Sequence, residues 1–149
     1  MTDPASRLAD EAAITGLRVA FGHALDARDW AMMDAILAPE VEADLSSFGV
    51  PAARMSRADL VALFRHSFRH DGVRTFQAYS NFQVTVEGDR ATMVSLLHGH
   101  HAGEGFEGGA TFDLRARYRD GLVRTPEGWR IEATTLEVIA TEGNRALVA

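Results

Sequence analysis

Ile14, Leu17, Phe21 and Leu25 recur three or four positions apart, which is one stripe of an α-helix. Asp3-Pro4 predicts its start, because the carboxylate can cap and proline suits the first turn. Asp29 is a candidate cap for a second, short helix. Its apolar side is Trp30, Met33 and Ile36/Leu37, and Pro39 ends it. Val41, Ala43 and Leu45 then alternate with Glu42, Asp44 and Ser46, which predicts a short strand. Ser56-x-x-Asp59 resembles a capping box. The helix it opens carries Leu60, Leu63, Phe64 and Phe68 and ends near Asp71-Gly72. Past Gly72 the period changes from helical to alternating. Four strands are predicted, roughly Thr75–Glu87, Ala91–His101, Ala110–Arg119 and Trp129–Thr141. Glu87-Gly88-Asp89, the Gly103–Gly109 stretch and Pro126-Glu127-Gly128 supply turns. Short connections imply antiparallel hairpins. Three helices followed by a meander is an α+β pattern. The helices must cover one face of a strongly curved sheet and leave an apolar cone, a concavity that ligands prefer.

The 149 residues show no linker and no repeat, so a single domain over 1–149 is expected. The chain has no Cys, which excludes disulfides, thiolate metal sites and a cysteine nucleophile. A net charge of −6 argues against nucleic acid as a partner. No apolar run approaches the roughly 20 residues that span a bilayer. Nor does the N-terminus have a charged-then-apolar signal pattern. A cytoplasmic protein is expected.

Six His change the picture, since imidazole titrates near neutral pH. His23, His66 and His70 sit off or at the edge of their helical stripes, and surface positions are expected. His98, His100 and His101 stand at one strand end. The strand period puts His98 and His100 on one face and His101 on the other. Three readings stay open. One imidazole could act as a general acid/base near Asp26 or a bound water. The imidazoles could be structural, hydrogen-bonded at a sheet edge or interface. His98 and His100 could ligate a metal, with Asp113 as third ligand if its hairpin pairs it opposite them. Asp26 is either a surface carboxylate pairing locally or a desolvated acid/base under the cone. Gln77 and Asn81 can orient a carbonyl or water, or satisfy backbone. Phe21, Trp30, Phe112, Leu114 and Tyr118 are core residues that a cone can also turn toward a ligand. Arg115, Arg117 and Arg119 share a face with Asp113, which is expected to be solvated or interfacial and paired with Glu132 or Glu137.

The order of elements, together with LDARDW (25–30), VEADLSSF (41–48), EGDRA (87–91), YRDGLVRTPEGWRI (118–131) and EGN (142–144), resembles the SnoaL-like branch of the nuclear-transport-factor-2-like superfamily. The resemblance covers essentially the whole chain. It implies a cone-shaped barrel of a curved antiparallel sheet covered by three N-terminal helices. The stretch from Leu25 to Phe48 is most similar to scytalone dehydratase, whose pocket holds an Asp, two His and two Tyr. By that resemblance the Asp falls on Asp26 and the two Tyr on Leu25 and Leu45. The first His falls on Gln77 and the second on His101, with His100 adjacent. The pocket Ser and Asn fall near Phe112 and Leu114. Family habit points Ala91, Met93 and His101 inward. The phenol of ketosteroid isomerase would fall on Phe21, and the Arg-x-Asp element of limonene epoxide hydrolase has no counterpart.

The resemblance thus implies a small cofactor-independent lyase or isomerase, dehydratase- or cyclase-like, with no metal. Its ligand would be a small apolar aromatic or polycyclic compound. Asp26, His100 and His101 are the candidate catalytic residues. Phe21, Trp30, Leu45, Gln77, Asn81, Phe112 and Leu114 are candidate ligand contacts. A non-catalytic small-molecule-binding module of the same fold is the alternative. A homodimer is expected from the family.

Overall fold

The Asp3 carboxylate accepts a hydrogen bond from the Ser6 N–H and starts helix α1, Pro4–Ala27. The computed structural model describes residues 3–149. Helix α1 ends where Arg28 turns into the left-handed region at φ 54°. The second predicted helix is a short 3-10 turn, Trp30–Ala35, with no side-chain cap from Asp29. Strand β1, Leu37–Leu45, follows and buries Val41, Ala43 and Leu45. It starts before Pro39, earlier than the alternation alone predicts. A 3-10 turn, Ser46–Phe48, leads to β2, Val50–Ser56. Ser56 then caps α2, Arg57–Ser67, by accepting from the Asp59 N–H. The meander is β3, Arg74–Glu87, β4, Arg90–Ala102, β5, Thr111–Thr125, and β6, Gly128–Gly143.

The strands form one curved, unclosed sheet in the order β2-β1-β6-β5-β4-β3. All neighbours are antiparallel except β1 and β6, which run parallel. The helical layer is thinner than predicted, with two α-helices and the 3-10 turn. After β6, Asn144 donates to the carbonyls of Glu107 and Gly109 and accepts from the Ala146 N–H. This ties the EGN element to the β4–β5 loop.

The buried side of α1 carries charge as well as hydrocarbon. Asp10, Ile14, Arg18, Phe21 and Leu25 all face in. Arg124 holds Asp10 through both carboxylate oxygens, at 2.8 and 2.9 Å, and the Trp129 indole N–H adds a third bond at 3.0 Å. These donors lower the Asp10 carboxyl to about 2. Deeper in, Arg18 makes a bidentate pair with Asp120, at 2.9 and 2.7 Å, and donates to Thr134 at 2.8 Å. Its guanidinium lies 3.8 Å over the Tyr118 ring.

Helix α1 meets β3 at Gly22. A Cβ added there would stand 2.9 Å from the Gln77 carbonyl oxygen and 3.1 Å from the Tyr79 ring. Alanine in a helix is worth about 1 kcal/mol over glycine. Overpacking against backbone costs about 1–3 kcal/mol. G22A is therefore expected to lower stability in a urea titration despite its better helix propensity. A more stable G22A protein would show that helix and strand are not in close contact at Gly22.

Candidate functional site

Between the sheet and α2 lies an apolar cavity of about 150 Å³. The β4 residues Ala91, Met93, Ser95, Leu97 and His101 are buried. His98 and His100 point to the other face. The register explains how the cavity wall is built. His101 pairs with Thr75 on β3 and with Phe112 on β5. Gly99 pairs with Gln77 and Leu114. A Cβ at Gly99 would lie 2.8 Å from the Gln77 side-chain oxygen. The missing side chain thus leaves room for the Gln77 amide, which reaches to 3.5 Å between its Nε2 and His101 Nε2.

His101 is 4% exposed and packs between Phe68 and Phe112, with ring centres at 5.3 and 5.9 Å. Its Nδ1 is buried without a partner among the described residues. Burial, then the nearby Arg28 cation and His100, lower its imidazole to about 4, against a weaker opposing pull from Asp113. His101 is therefore neutral at pH 7.

Asp26 stands behind this wall. Its carboxylate accepts from the Thr75 hydroxyl at 2.9 Å and from the Gln77 backbone N–H at 3.1 Å. Arg28 donates to the same hydroxyl and to the carbonyls of Asp26, Phe68 and Val73. Asp26 and Arg28 together fix the stretch of β3 that carries Gln77. Asp26 itself is not a cavity-lining residue.

Several expected contacts meet in the cavity: Leu45, Gln77, Phe112, Leu114 and His101 line it, as does Leu25. Others do not. Phe21 is buried one layer behind, its ring edge-on to Phe64 at 5.1 Å. Trp30 borders a separate surface groove with Asp34, Pro39 and Arg57. Asn81 is exposed in an irregularity of β3, with φ 55°. His100 is on the outer face. There His98 Nε2 and His100 Nδ1 approach one oxygen of Asp113, at 2.8 and 3.1 Å, against Phe76. The pairing of Asp113 opposite His100 arises as the hairpin required. Among the described residues, no group of three or more His, Asp or Glu side chains is arranged to hold a metal ion. Arg117 and Arg119 pair with Glu137, while Glu132 pairs with Arg90. His66 is exposed, as expected, while His70 is half-buried. His66 is also among the residues lining the cavity, and His70 packs on Phe106 with a buried Nε2.

Sequence reasoning missed Tyr79, Phe68 and Arg28 at the site. Tyr79 had one available signal, since it lies two residues from Gln77 on a strand and must share its face.

The fold is that of the nuclear-transport-factor-2-like cone. Residues 6–135 match the SnoaL-like domain, and the chain belongs to that family. Among solved structures, it is similar to the Kfla4162 protein from Kribbella flavida, with 24% identity, 95% of this chain and 98% of that chain covered, and a TM-score of 0.86. A scytalone dehydratase-like protein from Novosphingobium aromaticivorans shares 16% identity over 95% and 92% of the two chains, with a TM-score of 0.82. Hexachlorocyclohexane dehydrochlorinase LinA-type3 from Novosphingobium barchaimii shares 16% over 95% and 94%, with a TM-score of 0.80. No curated protein matches the chain in sequence. Among the described residues, no helix is long and apolar enough to cross a membrane.

Proposed function

We propose that the protein is a cofactor-independent lyase or isomerase in which His101 is the general base. The observation that carries this is the neutral imidazole on the wall of an otherwise oily cavity. The imidazole is unprotonated at pH 7 and so has a lone pair for a proton, although burial makes it a weaker base than a free histidine. Its proton would come from a ring carbon next to a carbonyl. The C–H electron pair then forms a C=C bond. In an isomerisation the carbonyl oxygen takes up the charge. In an elimination a leaving group on the next carbon departs with its bonding pair. The dehydratase and dehydrochlorinase names of structural relatives support the second outcome. Gln77 orients the imidazole, and Asp26 acts as a positioning residue by holding the Gln77 backbone.

Size narrows the ligand. An apolar cavity of this volume accommodates benzene. A single-ring compound is therefore the ligand to test first.

The test does not need the natural substrate. Cyclohexanone in D₂O exchanges the hydrogens beside its carbonyl when a base removes them. Wild-type protein is expected to accelerate this exchange, followed by proton NMR, and H101Q to lose the acceleration. The apolar lining, and Gln77 where the dehydratase has a His, favour the non-catalytic binding module as second reading. Saturable binding of the ketone with no accelerated exchange would establish that module and end the catalytic proposal.

A further inference from the structure

Two polar atoms of the cavity wall are out of a ligand's reach: the Tyr79 hydroxyl and His101 Nδ1 are both sealed. The Gln77 amide differs from them. Its side chain lines the cavity, and its oxygen is neither sealed nor met by a donor among the described residues. A primary amide has two N–H groups and an oxygen with two lone pairs. One N–H is directed at His101 Nε2, loosely, at 3.5 Å. The other N–H and the oxygen remain free.

That amide is held in place from two sides. The Asp26 carboxylate fixes its backbone N–H at 3.1 Å. On β4, Gly99 leaves the space the amide occupies: an added Cβ would stand 2.8 Å from the Gln77 oxygen and 3.4 Å from its amide carbon and nitrogen. The surroundings say what such an amide can read. Among the described residues, no Asp, Glu, Lys or Arg lines the cavity. An ionised ligand would enter without a counter-charge, so an uncharged one fits. A fixed neutral amide suits a group that offers an acceptor and a donor together. A carbonyl and a hydroxyl on neighbouring carbons do so: the carbonyl accepts from the free N–H, and the hydroxyl donates to the amide oxygen.

We propose that Gln77, seated against Gly99, is the specificity-determining residue of the cavity and selects compact cyclic α-hydroxyketones. This rests on the cavity being the ligand site proposed above, but not on His101 being the base. Because the amide borders His101 Nε2, the carbon that bears the held hydroxyl is brought beside the imidazole. With His101 as base, the proton on that carbon is the one removed, and its C–H electron pair forms the C=C bond of an enediol. The proton then returns to the former carbonyl carbon. The hydroxyl proton passes to the former carbonyl oxygen, and the hydroxyl becomes the new carbonyl. The product is the isomer with C=O and C–OH exchanged, and no co-reactant is needed.

Two ring ketones of one shape test it: 2-hydroxycyclohexanone, and 2-methylcyclohexanone, which has a methyl group in place of the hydroxyl. Both are titrated by NMR. Wild type is expected to bind the hydroxyketone roughly tenfold more tightly, because the methyl ketone leaves the Gln77 oxygen unpaired. Q77L should lose or reverse that preference while still binding the methyl ketone, which also shows that the variant is folded. G99A keeps Gln77 but displaces its amide, and should lose the preference too. Wild type that binds the two ketones alike, prefers the methyl ketone or binds neither overturns the proposal, as does Q77L that keeps the preference. G99A that keeps it overturns the seating against Gly99. A preference that depends on Gln77, with hydrogen–deuterium exchange independent of His101, supports the selection and removes the base. Exchange that depends on His101, with both ketones bound alike, does the reverse.

Discussion

D120N is expected to unfold about 3–5 kcal/mol more easily than wild type, the cost of stripping one partner from a buried ion pair. At roughly 2–4 °C per kcal/mol for a domain of this size, its melting temperature falls by about 6–20 °C. The Arg18 and Asp120 side chains are 1% and 0% exposed. Arg18 cannot shed its proton to escape, so the cation stays buried opposite a neutral amide. The double variant R18M/D120L distinguishes lost charge pairing from lost packing. It removes both charges together and is expected to recover most of the stability. A D120N protein that melts with wild type would mean that water reaches Arg18 from the solvent side.

The second large effect is acid destabilisation through His101. Its imidazole sits near 4 in the folded chain, against about 6.5 when unfolded. Between those values the unfolded chain binds one more proton, so stability rises with pH across that window. The contribution is fully present above about 6.5 and is lost as pH falls to about 4. The expected loss is about 3 kcal/mol. H101Q, which cannot titrate, should flatten that part of the pH–stability curve. The same group governs catalysis if it is the base. Turnover should then hold from neutral pH down to about 4 and fall below it, while H101Q loses roughly 10²-fold or more above about 4 and the gap narrows below it. A pH–stability curve identical in wild type and H101Q would refute the buried, neutral imidazole itself.

The parts of the fold legible in the sequence were those with local signals. The Asp3 cap, the Ser56 cap and the alternation of β4 to β6 each lie within a few residues of one another. Strand β2 carried no such signal. Its residues, Val50 to Ser56, are half-buried or exposed, and only pairing with β1 extends them. Strand β3 misleads in the other direction. Phe76 is 46% exposed while Gln77 faces the cavity, so hydrophobicity points to the wrong side. Arg18 was hidden for a different reason. A charge on the buried side of a helix is tolerable only with its partner, and Asp120 lies 102 residues away. For the candidate site, the resemblance placed Leu25, Leu45, Gln77 and His101 on the cavity wall. It had no position for Tyr79, because the phenols of the related enzymes fall on Leu25, Leu45 and Phe21.

The parallel contact of β1 with β6 sets the tempo at which the site can form. Leu37 pairs with Ile131 and Glu42 with Ala133, so this seam joins the first strand to the last. The meander from β3 to β6 can zip hairpin by hairpin, at small loop-closure entropy. The β1 seam and the Arg18–Asp120 clasp must instead close loops of roughly a hundred residues, which makes them slow contacts to establish. Leu45 comes from β1, Leu25 from α1, and His101 and Gln77 from the meander. A ribosome releasing this chain therefore makes most of the sheet before it makes any cavity, and a nascent chain cut short of β6 has nowhere to hold a ligand.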